Sequence, residues 1–131
     1  ALADARKGVA MFMQEAINVP VLGVVENMAY FTPEELPDNK YYIFGKEGAQ
    51  NLASDLKIPF LGEVPLVQSI REAGDVGRPA ALQEEGPLKE AFEEITRNVV
   101  RELVVRHTDL PPTEAIKITT MAGCSAVKPK K

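Results

Sequence analysis

Apolar positions recur along the start of the chain at helical spacing and then give way to a short continuous run. Leu2, Ala5, Val9, Phe12 and Ala16 follow one another at three- and four-residue intervals, which predicts an amphipathic helix over residues 2–17. Asp4, Arg6, Lys7, Gln14 and Glu15 fall mostly off that stripe. Gly8 weakens a helix by about 1 kcal/mol relative to Ala, so close packing is expected there, and Asn18 is expected to stop the helix. Next comes Val19-Pro-Val-Leu-Gly-Val-Val-Glu-Asn-Met28, apolar from Val21 to Val25 except at Gly23 and ending abruptly in Glu26-Asn27-Met28. A short β-branched run between turn signals predicts a strand buried on both faces.

The pattern recurs at Ile58-Pro-Phe-Leu-Gly-Glu-Val-Pro65, and between the two lies a helical stripe of Ala49, Leu52, Ala53 and Leu56. Strand, helix and strand in that order imply an α/β fold with a parallel pair joined by a crossover. Both strand ends then lie on one edge of the sheet, where open α/β sheets bind ligands. Asn27 and Pro65 are therefore expected to be neighbours.

Elsewhere the pattern is looser. Residues 29–45 hold two prolines, Asp38-Asn39 and a group of acids, which predicts a loop. That loop concentrates Tyr30, Phe31, Tyr41, Tyr42 and Phe44. Residues 41–44 are expected to form a short strand or to pack on the core, as a clasp over the sheet edge; the alternative is a partner or substrate surface. A short helix stopped by Gly74 is expected over residues 65–74, then a tight turn at 75–79. Gly86-Pro87 opens the longest helix, with Pro at its first position and a stripe of Leu88, Phe92, Ile95, Val99 and Leu103 running to about His107. From Thr108 the periodicity fails, with a linker, a possible strand at 116–120 and a lysine-ended tail. The expected division is a folded portion over 1–107 and an extended tail over 108–131.

Composition narrows the function classes. The chain has 131 residues, 45% of them hydrophobic and 26% charged, which is ordinary for a soluble globular protein. A net charge of −4 and the lack of a basic stripe argue against a nucleic-acid surface. No apolar run approaches the roughly 20 residues needed to cross a bilayer, and no signal peptide is visible. A single cysteine, Cys124, cannot form an internal disulfide, which fits a reducing compartment, the cytoplasm by default. The chain opens inside a helical pattern with no Met, and two strands are few for so much helix, so a fragment with strands missing upstream is expected.

Candidate chemistry is sparse. Gly45-Lys46-Glu47-Gly48 is not a phosphate loop, which needs G-x-x-x-x-G-K-[ST]; Glu47 would repel a phosphate, and Gly45 is read as a helix-start turn. His107 stands where a helix dipole favours a cation, and a lone histidine makes a poor metal site. Cys124 is either an incidental free thiol or a ligand to a cluster shared between chains.

Several stretches together resemble the Mrp family of iron–sulfur cluster carriers, which are deviant P-loop ATPases related more distantly to MinD, ParA and nitrogenase iron protein. They are Ala1-Leu-Ala-Asp-Ala-Arg-Lys-Gly8, Gly23-Val-Val-Glu-Asn-Met28, Ile43-Phe-Gly45 through Gly48, Phe60-Leu-Gly-Glu-Val-Pro65 and Ile70-Arg-Glu-Ala-Gly-Asp-Val-Gly-Arg-Pro79. The resemblance covers about residues 1–80. It implies the C-terminal part of a Rossmann-like, three-layer P-loop NTPase with a parallel sheet and flanking helices. It also implies that Asn27 contacts adenine and that Val64, Pro65 and Leu66 close against the base. An amide beside an apolar wall suits a purine's edge and face. ATP and Mg²⁺ would be ligands of the full-length protein, a homodimer of which would hand an iron–sulfur cluster to acceptor proteins. Many members carry Cys-x-x-Cys in the loop after Glu-Asn-Met to hold that cluster. Here the loop reads Thr32-Pro-Glu-Glu-Leu-Pro37, so Cys124 is the one candidate ligand. The Walker A lysine and the Mg²⁺-binding aspartates have no counterpart in this chain, which is expected to be inactive alone.

Two other readings stay open at this point. One is a MinD/ParA-like ATPase without a metal cluster that binds a protein partner through residues 29–44. The other is an interaction module that keeps the scaffold without nucleotide.

Overall fold

The computed structural model describes residues 2–33, 35–36, 38–82 and 86–112. Its elements run α1 (Leu2–Phe12), β1 (Val24–Phe31), α2 (Gly48–Leu56), β2 (Phe60–Leu66), α3 (Gln68–Asp75), a 3₁₀ turn (Ala80–Leu82) and α4 (Pro87–Asp109). β1 and β2 pair in parallel, as the strand–helix–strand order requires. The chain is thus α/β, with a parallel sheet and flanking helices, as in part of a P-loop NTPase.

Side-chain alternation assigns the layers. Glu26 of β1 reaches the start of α2. Its neighbour Val25 is in register with Gly62 of β2, whose missing side chain faces Ile95 of α4. Successive residues of a strand point to opposite faces, so α2 and α4 cover opposite sides of the sheet. Leu52 and Ala53 of α2, Leu61 and Val64 of β2 and Leu88 of α4 are buried.

The two Val/Ile-Pro-x-Leu-Gly segments have a packing reason for their glycines. A Cβ on Gly23 would stand 2.6 Å from Leu61 Cγ and 2.7 Å from the Pro59 carbonyl oxygen. One on Gly62 would stand 2.7 Å from Ile95 Cγ1, and Gly62 also has φ +144. Both glycines let a neighbouring element approach the backbone.

Several boundaries differ from expectation. α1 ends at Phe12 and residues 13–17 form turns, with Asn18 N–H bonded to the Gln14 carbonyl and Asn18 at φ 46. Gly8 marks no close packing, since nothing lies within 4 Å of a Cβ placed there. β1 begins at Val24, not in the Val19–Gly23 run, and continues through Glu-Asn-Met to Phe31. Pro20 has no N–H to give a ladder, and the first bond to the second strand segment is Val24 N–H to Pro59 O at 2.9 Å. α3 passes through Gly74 and is closed by Gly77 at φ 69, with Arg78 N–H bonded to Ala73 O at 2.7 Å and Gly77 N–H to Gly74 O at 3.1 Å. That 6→1 and 5→2 pair is a Schellman ending.

Tyr41 forms an isolated antiparallel bridge with Phe31, not a strand. Tyr41, Tyr42, Ile43 and Phe44 do not pack on the core; Phe44 is 69% exposed. Tyr42 instead meets Tyr30 of β1 edge to face at 6.2 Å, and Lys40 Nζ lies 4.0 Å from the Tyr30 ring centre. α4 buries Leu88, while Leu103 near its far end is exposed. No helix among the described residues is long and apolar enough to cross a membrane.

Candidate functional site

The site grows from the way β1 ends. Val25, Glu26 and Asn27 pair in unbroken register with Gly62, Glu63 and Val64; the ladder is then irregular until Phe31 meets Leu66. The break falls at Met28, whose φ of 56 is left-handed. Asn27 is therefore the last residue of the continuous ladder, beside Val64 and one position from Pro65. The expected adjacency of Asn27 and Pro65 is present, although Asn27 lies within the strand and not at its end.

Asn27 is exposed, and its Oδ1 accepts the Met28 N–H at 2.9 Å. That bond orients the amide, because Nδ2 in the same place would set two donors against each other. That leaves Nδ2 as the donor of this exposed residue. Val64 is buried and Pro65 is buried almost completely, while Leu66 keeps part of its surface. Leu66 and the exposed Met28 are thus the apolar surface nearest the amide along these two strand ends.

Glu26 is the residue that the sequence reading passed over. Its Oε1 accepts Gly48 N–H at 3.1 Å and its Oε2 accepts Ala49 N–H at 3.3 Å. A carboxylate at a helix N-terminus satisfies orphan donors and meets the positive end of the dipole. α2 needs such help because Glu47, before it, is left-handed at φ 59 and makes no side-chain cap. The signal was a helix start without Ser, Thr, Asp or Asn, with an otherwise unexplained Glu one strand earlier.

The other candidates separate from this place. Lys46 forms an ion pair with Glu47 at 3.3 Å and lies 5.4 Å from the Tyr42 ring centre. Gly45, at φ 101, precedes α2 by three positions, so the turn into the helix is made by Glu47. His107 is exposed near the end of α4. Among the described residues no group of three or more His, Cys, Asp or Glu is placed to hold a metal ion. Cys124 lies outside the described residues.

Comparison with known proteins shows the family. Residues 1–100 match the family described as ParA, NUBPL iron-transfer P-loop NTPase. The iron–sulfur cluster carrier protein of Synechocystis is 47% identical over 83 residues, covering 63% of this chain and 23% of its own length. The iron–sulfur cluster transfer protein NUBPL of Dictyostelium discoideum is 39% identical over 110 residues, 83% of this chain and 33% of its own. The NUBPL of Mus musculus is 45% identical over 104 residues, 79% of this chain and 32% of its own. The chain spans a third or less of the length of these curated relatives. With the match running from α1 into α4, this chain belongs to the NUBPL iron-transfer family of P-loop NTPases.

Proposed function

We propose that this chain is the adenine-side and dimerising portion of an ATP-binding protein that carries iron–sulfur clusters to acceptor proteins. The observation that carries the reading is Asn27, oriented by Met28 N–H and in register with Val64 at the point where the parallel ladder breaks. Asn27 Nδ2 donates to the base edge, and Leu66, with Val64 and Pro65 behind it, forms the apolar side of the pocket. The descriptions of the relatives as cluster carriers and transfer proteins support this reading over a partner-regulating ATPase without a cluster.

The phosphate-binding loop and the groups for Mg²⁺ come from outside these 131 residues, which contain no G-x-x-x-x-G-K-[ST] sequence. Among the described residues no group of three or more His, Cys, Asp or Glu could hold a metal ion, and no catalytic step is assigned to them. The cluster is cargo. Cys124 supplies one thiolate per chain and a cluster takes several, so two chains are proposed to share it. A free thiol in that role requires a reducing compartment, with the cytoplasm proposed first. The division expected at residue 108 falls inside α4, which runs to Asp109, so the extension proposed to carry Cys124 begins after that helix.

Two measurements on the full-length protein test this. Asn27→Ala is expected to weaken ATP binding about tenfold by calorimetry; unchanged affinity overturns the adenine assignment. Anaerobic iron–sulfur reconstitution is expected to give a coloured protein with stoichiometric iron, and Cys124→Ser is expected to lose both. A colourless protein that still binds ATP overturns the carrier reading.

A further inference from the structure

We propose that Glu26 is a positioning residue for nucleotide recognition: by accepting Gly48 and Ala49 N–H, it fixes the strand segment from which Asn27 projects. The inference rests on the assignment of Asn27 to the base.

Few other contacts fix the strand at Asn27. Among the described residues β1 is paired by a strand on one edge only, the β2 edge. Beyond Asn27 the register is lost until Phe31, and Met28 turns left-handed between them. The fixed point nearest to Asn27 on the other face of the strand is the Glu26 carboxylate, with bonds of 3.1 and 3.3 Å to two consecutive backbone donors. Those donors belong to α2, whose Leu52 and Ala53 are buried, so the anchor is packed into the core.

A cap made only for helix stability would come from position 47, as a local Ser or Asp would supply it. Instead Glu47 contributes no side-chain bond and the cap arrives from β1. The same two hydrogen bonds therefore do two things: they satisfy the first turn of α2 and they join that turn to the strand beside the candidate base contact. Gly48 is not required for this, since a Cβ there would make ordinary contacts, 3.5 Å from Glu26 Oε1 and 3.4 Å from both Leu2 methyls. Gln at position 26 would keep one acceptor but turn an NH₂ toward the second donor. Ala would remove the tie altogether.

The test measures ATP and GTP dissociation constants by calorimetry on the full-length protein. The proteins are wild type, Glu26→Gln, Glu26→Ala, Asn27→Ala and the Glu26→Ala/Asn27→Ala double variant, each first checked for cooperative thermal unfolding. Glu26→Ala is expected to weaken ATP about tenfold and Glu26→Gln about threefold, with GTP changed by less than about twofold, so the ATP preference falls. In the Asn27→Ala background, Glu26→Ala is expected to add less than about twofold, because the residue it positions is gone. Equal losses for ATP and GTP, or full additivity, overturn the positioning role while Asn27→Ala still weakens ATP. An Asn27→Ala protein with unchanged ATP affinity overturns the site itself and this inference with it. Should Glu26→Ala not fold, Glu26→Gln decides by the same ATP-to-GTP ratio.

Discussion

Asn98 Nδ2 donates to the Leu61 carbonyl oxygen at 2.8 Å, across the interface between α4 and β2. Val24 pairs with Phe60 and Val25 with Gly62, so Leu61 is an extra residue on β2 with no counterpart on β1. A bulge of this kind leaves a residue outside the ladder, and a side chain from α4 satisfies its carbonyl. Asn98→Leu keeps the bulk but leaves that partly buried acceptor without its donor. It is expected to lower stability by about 1–3 kcal/mol, and Asn98→Asp by more, since a carboxylate would face a carbonyl. Urea unfolding with unchanged m-value and a lower midpoint is the expected record.

Gly62→Ala is expected to cost about 1–3 kcal/mol, from overpacking against Ile95 together with a backbone φ that side chains rarely adopt. The Gly62→Ala/Ile95→Ala pair should lose less than the sum of its single variants, because truncating Ile95 removes the atom that the new methyl meets. Strict additivity in a double-mutant cycle would refute the clash.

Lys57→Gly runs in the other direction. Lys57 closes α2 at φ 54, with Ile58 N–H bonded to Ala53 O at 3.0 Å and its own N–H to Ser54 O at 3.2 Å. A lysine there bears the left-handed penalty that glycine escapes. The substitution is expected to raise stability by about 1 kcal/mol, and a fall in melting temperature would contradict the left-handed ending.

The Arg6–Asp55 pair joins α1 to α2 at 2.8 Å, yet its side chains are 51% and 61% exposed. Solvent screening limits such a pair to about 1 kcal/mol or less. Asp55→Asn is expected to change stability by less than about 1 kcal/mol at 0.15 M salt, and the difference should shrink further at 1 M.

The order of elements was legible from periodicity, but the expected burial of the first strand on both faces was not met: within β1 Ala29 alone is buried and Val25 is 38% exposed. The Ala49–Leu56 stripe lay between two apolar runs, and that order alone implied a parallel pair with Asn27 beside Pro65. Boundaries were less legible because backbone geometry sets them. The apolar run from Val19 failed to join the ladder at Pro20, and α3 passed through Gly74 because Gly77 holds the left-handed position. Residues 41–44 were expected to form a short strand or to pack on the core, but Tyr41 makes an isolated bridge to Phe31, Tyr42 meets Tyr30, and Ile43 and Phe44 are exposed. At the site, Asn27 was visible as a polar residue after an apolar run. Glu26 was not, because its partners lie 22 and 23 positions away and local capping rules look only at the residues next to a helix.

The outer edge of β1 carries the remaining consequence. From Val24 to Tyr30 it has no neighbouring strand among the described residues, and Tyr41 meets it only at Phe31. Any strand laid along that edge binds the folded chain and has nothing to pair with in the unfolded one, so it shifts the folding equilibrium by mass action. The melting temperature of these 131 residues alone is then a floor that rises with the concentration of whatever completes the sheet. Its unpaired N–H and C=O groups are a template that another chain can pair with, so concentration, as well as denaturant, is to be held fixed when stability is compared.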